Sequence, residues 1–147
     1  MKLLFQALAL LFAFTAQAQE WTTDLAAAQV EAKAQHKNIL LVFSGSDWCA
    51  PCIKLEKNVF ATGAFRSAAA RNWILVKADF PKKKAHALPE NVRIQNEQLA
   101  EKYNREGNFP FVLVLDSNGK ILGRTAYKDL AAEAYIAELQ SFAKTGS

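Results

Sequence analysis

Apolar and polar positions follow two different spacings along the chain, and the spacing changes from segment to segment. Four short runs are rich in apolar, β-branched or aromatic residues and are bounded by turn residues, which is typical of strands. The segments between and around them place their apolar residues at helical spacing. The predicted strands are residues 38–44, 73–80, 111–116 and 120–124, and the predicted helices are residues 25–37, 49–60, 64–71, 96–105 and 129–144.

The order of these segments indicates an α/β fold. Strands alternate with helices first, and the last two strands are joined by the turn residues 117–119, so we expect a central mixed sheet with helices on both faces. Asp24 and Asn96 are expected to cap helices. Residues 81–94 contain two prolines and a lysine run, so we expect a loop there. The core candidates of the last helix are Leu130, Ala134, Ile136, Leu139 and Phe142.

The first 18 residues have the features of a signal peptide. Lys2 supplies a positive charge, residues 3–14 are almost entirely apolar, and Ala16-Gln17-Ala18 is a small-residue cleavage pattern. The apolar run is shorter than the roughly 20 residues that a transmembrane helix needs. We expect a single exported domain at residues 19–147, periplasmic or secreted, without stable membrane insertion after cleavage. An uncleaved membrane anchor is the alternative.

Composition narrows the class of partner. The chain is 51% hydrophobic and 22% charged, as expected for a globular domain. Its formal net charge of +4 is too small to favour nucleic acid or an anionic membrane as the partner. We therefore expect no nucleic-acid function.

The chain has two cysteines, Cys49 and Cys52, within the stretch Trp-Cys-Ala-Pro-Cys. A bridge between them closes a very short loop, which would contribute little stability as a structural staple. A zinc site would need two more ligands, and the histidines, His36 and His86, have no usual spacing to the cysteines. We therefore expect no metal and no cofactor, and no serine-hydrolase motif is present.

The position of the pair favours redox chemistry. Cys49 falls where a predicted strand passes into a helix, and Pro51 lies in the first helical turn. Backbone N–H groups at a helix start stabilise a thiolate, which is the species that attacks a disulfide. Cys52 follows almost one turn later on the same side, where it can resolve the mixed disulfide.

Three features together resemble the thioredoxin superfamily. They are WCAPC after an apolar strand, Pro110 just before a later strand, and the Asp-Ser-Asn-Gly-Lys turn at residues 116–120. The resemblance covers residues 25–143 and is greatest to exported bacterial thioredoxin-like proteins. It implies a thioredoxin-like three-layer sandwich with a central mixed sheet, and it makes residues 19–147 a thioredoxin-like domain.

The same resemblance implies roles for individual residues. Cys49 is the expected nucleophile and Cys52 the resolving cysteine, with Trp48 flanking the site. Pro110 is the expected cis-proline that faces the disulfide. Phe109 is expected to present backbone groups to a bound substrate chain.

The chain also departs from the family pattern. Phe43 stands where thioredoxins carry a buried aspartate, so the usual proton acceptor for the resolving cysteine is missing. Lys77 and Asp47 are the candidates for supporting proton transfer. Ala50 replaces a glycine, and with Pro51 it shapes the start of the helix. The 81–94 loop is longer than a simple thioredoxin needs, and its lysine run has two interpretations, a solvated loop or a contact for an acidic partner.

These features predict a periplasmic thiol–disulfide oxidoreductase that acts on protein or peptide disulfides. Because no histidine lies between the cysteines, we expect it to work in the reducing direction, with a membrane or periplasmic thiol protein as electron donor. A disulfide isomerase or dithiol oxidant is one alternative. A non-catalytic binding or chaperone-like module with the same fold is another.

Overall fold

The computed structural model describes residues 20–144, so the signal peptide predicted for residues 1–18 lies outside the described residues. Helices and strands follow one another in the predicted order. The helices are Leu25–Gln35 (α1), Ala50–Leu55 (α2), Gly63–Asn72 (α3), Glu90–Tyr103 (α4) and Ala132–Lys144 (α5). The strands are Asn38–Ser44 (β1), Trp73–Asp79 (β2), Phe111–Leu115 (β3) and Ile121–Thr125 (β4). A π-helical turn, Glu56–Phe60, continues α2, and a 3₁₀ turn, Lys84–His86, lies between β2 and α4.

The four strands form one mixed sheet in the order β2-β1-β3-β4. β1 pairs in parallel with β2 and antiparallel with β3, and β3 pairs antiparallel with β4. One face of the sheet packs against α2, α3 and α5, and the other packs against α1 and α4. The predicted three-layer α/β sandwich with a mixed central sheet is confirmed.

Strand β1 lies at the centre of this arrangement and is covered on both faces. Leu40 and Val42 belong to the core beneath α3 and α5, whereas Ile39, Leu41 and Phe43 belong to the core beneath α1 and α4. Burial on both faces explains why β1 is apolar at consecutive positions instead of alternating. It also fixes the position of Ser44, the residue after which the chain leaves the sheet.

The prediction for α4 was wrong at its start. The helix begins at Glu90, not at Asn96, because Pro89 has no N–H that needs a partner before the first turn and its backbone oxygen accepts from the N–H groups of Val92 and Arg93. Asn96 lies inside the helix, 1% exposed, and its Nδ2 donates to the backbone oxygen of Asp79 at 3.0 Å. The predicted loop at residues 81–94 is correspondingly shorter, since its last five residues are helical.

The last helix also differs from its prediction. α5 begins at Ala132, and of the five core candidates Leu130 and Ala134 are exposed. Ile136 and Leu139 are buried as expected, and Tyr135, which precedes them, is buried as well. The Tyr135 hydroxyl donates to the backbone oxygen of Ala126, which offsets the cost of burying it.

No helix within residues 20–144 combines the length and the apolar character that crossing a membrane would require.

The contact between β4 and α5 leaves no space for a side chain at Gly123. A Cβ atom at this position would overlap the ring of Phe142. We expect Gly123→Ala to lower the free energy of unfolding by about 1–3 kcal/mol, the usual cost of overpacking. Urea unfolding followed by circular dichroism measures the change.

Gly63→Ala is the matched control, because a Cβ atom there meets only the guanidinium of Arg66 at 4.0 Å. Gly63 is the first residue of α3, so alanine is expected to stabilise the protein by about 0.4–1 kcal/mol. An equal loss of stability in both variants would contradict the packing argument.

Candidate active site

The two cysteines lie at the start of α2, directly after β1 and a short turn. Cys49 is the N-cap residue, and its Sγ accepts a hydrogen bond from the backbone N–H of Cys52 at 3.3 Å. The two residues are joined by a disulfide, with their Cα atoms 5.2 Å apart. A backbone N–H group in this position is of the kind that stabilises a thiolate when such a disulfide is reduced.

Cys52 is held from the opposite side by the turn. The backbone N–H of Gly45 donates to Cys52 Sγ at 3.4 Å, and the residue is buried. Pro51 occupies the first turn of α2, where its missing N–H is not needed. Ala50 is the first residue of the helix and is exposed, so its methyl group meets no steric obstacle.

Trp48 flanks the disulfide and is fixed by three contacts. Its Nε1 donates to the backbone oxygen of Phe80 at 2.7 Å, and its ring meets that of Phe109 edge to face at 5.4 Å. Gly45 provides the third contact, because a Cβ atom there would overlap the indole. Trp48 is nevertheless 38% exposed, so its indole forms part of the surface next to the disulfide.

A groove of about 560 Å³ opens beside the cysteine pair. Its lining includes Pro51, Phe109, Pro110, Tyr127 and Lys128. The Phe109–Pro110 peptide bond is cis. The structure therefore brings Trp48, Pro51, Phe109 and Pro110 together around the disulfide.

Asp47 does not point toward Cys52. Its carboxylate, 3% exposed, accepts hydrogen bonds from the backbone N–H groups of Lys82 at 2.9 Å and Lys83 at 3.0 Å, and it contacts His86 Nδ1 at 3.0 Å. The hydrogen bond from Lys82, together with those from Lys83 and His86, lowers the pKa of Asp47 to about 2. Asp47 is therefore an ionised anchor for the loop after β2.

Lys77 pairs with a carboxylate that the sequence analysis did not identify. Its Nζ lies 2.8 Å from Glu56 Oε2 and 4.4 Å from the centre of the Trp21 ring. Glu56 follows Cys52 by one helical turn, and its backbone N–H donates to the Cys52 oxygen. The four-residue spacing from Cys52 was the signal in the sequence, since it places both side chains on one side of the helix.

Phe43, at the position where thioredoxins carry an aspartate, is fully buried. Its ring packs against those of Phe80 and Phe111, with centroids 6.5 and 6.4 Å away. This position therefore offers no proton acceptor. Within the described part of the chain, no group of three or more His, Cys, Asp and Glu side chains is placed to hold a metal ion.

Comparison with known proteins agrees with this geometry. Residues 20–117 match a family model described as thioredoxin-like. The chain is 34% identical over 119 residues to the disulfide bond reductase DsbH of Chlamydia pneumoniae, which covers 81% of this chain and 70% of that protein.

Solved structures give a similar result. A DsbH oxidoreductase superposes with a TM-score of 0.79 at 31% identity, covering 95% of this chain and 94% of the other. A disulphide isomerase from Xylella fastidiosa Temecula1 superposes with a TM-score of 0.56 at 28% identity, covering 96% and 100%. The chain belongs to the thioredoxin-like family and is a thiol–disulfide oxidoreductase.

Proposed function

We propose that this protein reduces disulfides in other proteins in the bacterial periplasm. The observation that carries the proposal is the Cys49–Cys52 disulfide at a helix start, beside an open groove that a polypeptide can enter. The absence of histidine between the cysteines supports the reducing direction, as does the similarity to a protein named disulfide bond reductase.

The reaction transfers two electrons from the protein to the substrate. The Cys49 thiolate attacks one sulfur of the substrate disulfide, and the other substrate sulfur leaves as a thiolate and takes up a proton. Cys52 then loses its proton and attacks Cys49 Sγ, which releases the second substrate thiol. The protein ends as the disulfide and the substrate as a dithiol, and a membrane or periplasmic thiol donor must restore the reduced protein.

The groove supplies the binding surface for the substrate chain. Phe109 and Pro110 line the groove together with Pro51, which lies between the two cysteines in the sequence, and Trp48 extends the surface beside Phe109. An extended chain laid across Pro110 brings its own disulfide to Cys49. Both cysteines are buried to a similar degree, so Cys49 is proposed as the attacking residue from its N-cap position at the start of α2.

Glu56 is the group that takes the proton from Cys52 in this proposal, with Lys77 as its partner. Glu56 follows Cys52 by one helical turn, and the ammonium of Lys77 lies 2.8 Å from its carboxylate. Asp47 is a poor candidate, because a carboxylate whose pKa is about 2 is a weak base and its oxygens already accept hydrogen bonds.

The location of the protein is part of the proposal. The signal peptide predicted for residues 1–18 would export the chain to a compartment where disulfides form. The similarity to DsbH supports the same location.

Single-cysteine variants test the order of attack. We expect Cys52→Ser to retain attack by Cys49 and to accumulate mixed disulfides with substrate proteins, because the resolving thiol is absent. Cys49→Ser is the matched control and is expected to trap none, because Cys52 lies inside the first turn of α2 and not at the N-cap position, where the helix start favours a thiolate. Non-reducing electrophoresis and mass spectrometry of periplasmic extracts identify the trapped species.

The outcome of the trap separates catalysis from simple binding. Equal capture by both variants would contradict the assigned order of attack. Capture by neither would contradict the reaction and would favour a non-catalytic binding module.

The reduction potential tests the direction. We expect a midpoint near that of thioredoxin, about −270 mV, because no histidine between the cysteines adds positive charge that would stabilise the thiolate. Equilibration with glutathione or dithiothreitol, followed by alkylation, gives the value. A midpoint of about −120 mV would place the protein with the strong oxidants. Efficient refolding of a scrambled disulfide protein would favour an isomerase, the activity named for the Xylella structure.

Glu56→Gln tests the proton acceptor. We expect the second step, release of the mixed disulfide by Cys52, to slow by on the order of 10²-fold at neutral pH, as for loss of a general base. The difference should shrink as the pH rises and Cys52 deprotonates without help. Rapid acid quenching, alkylation and mass spectrometry measure the two steps separately across pH.

Glu97→Gln is the control, because it removes another exposed carboxylate, paired with Arg93 at 2.6 Å on α4. It should leave both steps unchanged. If Glu56→Gln slowed both steps equally at every pH, its role would be structural and the proposed proton transfer would be wrong.

A further inference from the structure

The loop between β2 and α4 carries a group of basic side chains next to the cysteine pair. We name Lys82, Lys83, Lys84 and His86 the basic rim; all four are exposed. None of its three lysine ammonium groups forms an ion pair with any residue in the range 20–144. These three lysines therefore present positive charge to solvent that no ion pair within the described residues offsets, whereas His86 contacts Asp47.

The basic rim is held rigidly to the turn that precedes Cys49. Asp47 binds the backbone N–H groups of Lys82 and Lys83 and contacts the His86 ring. The indole Nε1 of Trp48 binds the backbone oxygen of Phe80 at the start of the loop. A loop that only joins β2 to α4 through solvent would not need these contacts. A rim that is already held in place loses less conformational entropy when a partner binds.

The carboxylates of this region do not neutralise the rim at its surface. Asp47 is turned inward and 3% exposed. Asp79 accepts hydrogen bonds from the backbone N–H of Ser46 at 2.9 Å and from its hydroxyl at 2.5 Å. Both carboxylates serve to fix the chain, so the charge that faces a partner is that of the lysines.

The rim adjoins the surface that a substrate chain must cross. Lys82 Nζ lies 4.0 Å from the centre of the Trp48 ring, and Trp48 meets Phe109 of the groove edge to face. A chain that leaves the groove past the disulfide therefore reaches the rim next.

We propose that the basic rim binds acidic residues that flank the disulfide in the substrate protein. This inference rests on the proposed reductase function and names the class of substrate. The partner is a protein segment and not an anionic membrane, because the rim continues the groove that holds a chain against the disulfide. Opposite charges beside the reacting bond raise the rate of encounter more than the final affinity.

Two peptides of equal length test the inference. Each contains one internal disulfide, which is flanked by glutamates in the acidic peptide and by lysines in the basic peptide. In a single turnover the reduced protein is oxidised while the peptide disulfide becomes a dithiol. We expect the acidic peptide to react about tenfold faster at low salt, as for electrostatic steering, and the preference to disappear at high salt. Rapid acid quenching and alkylation give both rates.

The double variant Lys83→Glu/Lys84→Glu should abolish or reverse the preference. Lys82 is left in place because it contacts the Trp48 ring. Lys37→Glu/Lys120→Glu changes the net charge equally at the opposite end of the sheet, near the start of β1 and the β3–β4 turn, and should keep the preference. Rates with neutral hydroxyethyl disulfide normalise each variant for any change in the dithiol.

The outcomes separate the two proposals. Equal rates for both peptides in the parent protein, or an equal loss of preference in the two double variants, would overturn the inference and leave the reductase function intact. Binding to vesicles of anionic lipid through Lys83 and Lys84, without a peptide preference, would overturn it in favour of a membrane surface. If the reduced protein reacted with none of the three disulfides, the proposed function itself would fail.

Discussion

The active site depends on the burial of β1 on both faces of the sheet. This strand is an inner strand of the sheet, between β2 and β3, and its apolar side chains enter both cores. Its end at Ser44 is therefore fixed by two layers of packing. The turn that follows places Cys49 at the start of α2. The antiparallel strand β3 begins after Pro110 and pairs with the last residues of β1, so the groove lies at the same end of the sheet.

Backbone hydrogen bonds then convert this placement into chemistry. One backbone N–H group donates to Cys49 Sγ and another donates to Cys52 Sγ, so each sulfur accepts a main-chain hydrogen bond. The carboxylate of Asp47 also accepts main-chain hydrogen bonds, from two N–H groups of the loop after β2. The turn, the cysteines and the loop thus form one rigid unit without any metal ligand set among residues 20–144.

Sequence patterns predicted the sheet, the layers and the cysteine pair because these features depend on local order and on burial. They placed the start of α4 wrongly, since Asn96 has the side chain of a cap but is used inside the helix to satisfy Asp79. They also missed Glu56, whose partner Lys77 is 21 positions away and meets it only in the folded chain. The loop was correctly placed after β2, but its attachment to Asp47 depends on a contact across 35 residues.

Phe43 occupies the position of the buried aspartate of thioredoxins, and this difference affects both the stability of the core and the route of proton transfer. A carboxylate inside this strand would lose its hydration, and burial of an unpaired charge is costly. Phe43 instead packs with two other rings and avoids that cost. The proposed acceptor, Glu56, keeps 48% of its side chain exposed and has Lys77 beside it, so it stays in contact with solvent. On this argument the chain separates two tasks that one buried aspartate would combine: the sheet core gains an apolar contact, and the proton of Cys52 passes to the helix surface, where water can receive it.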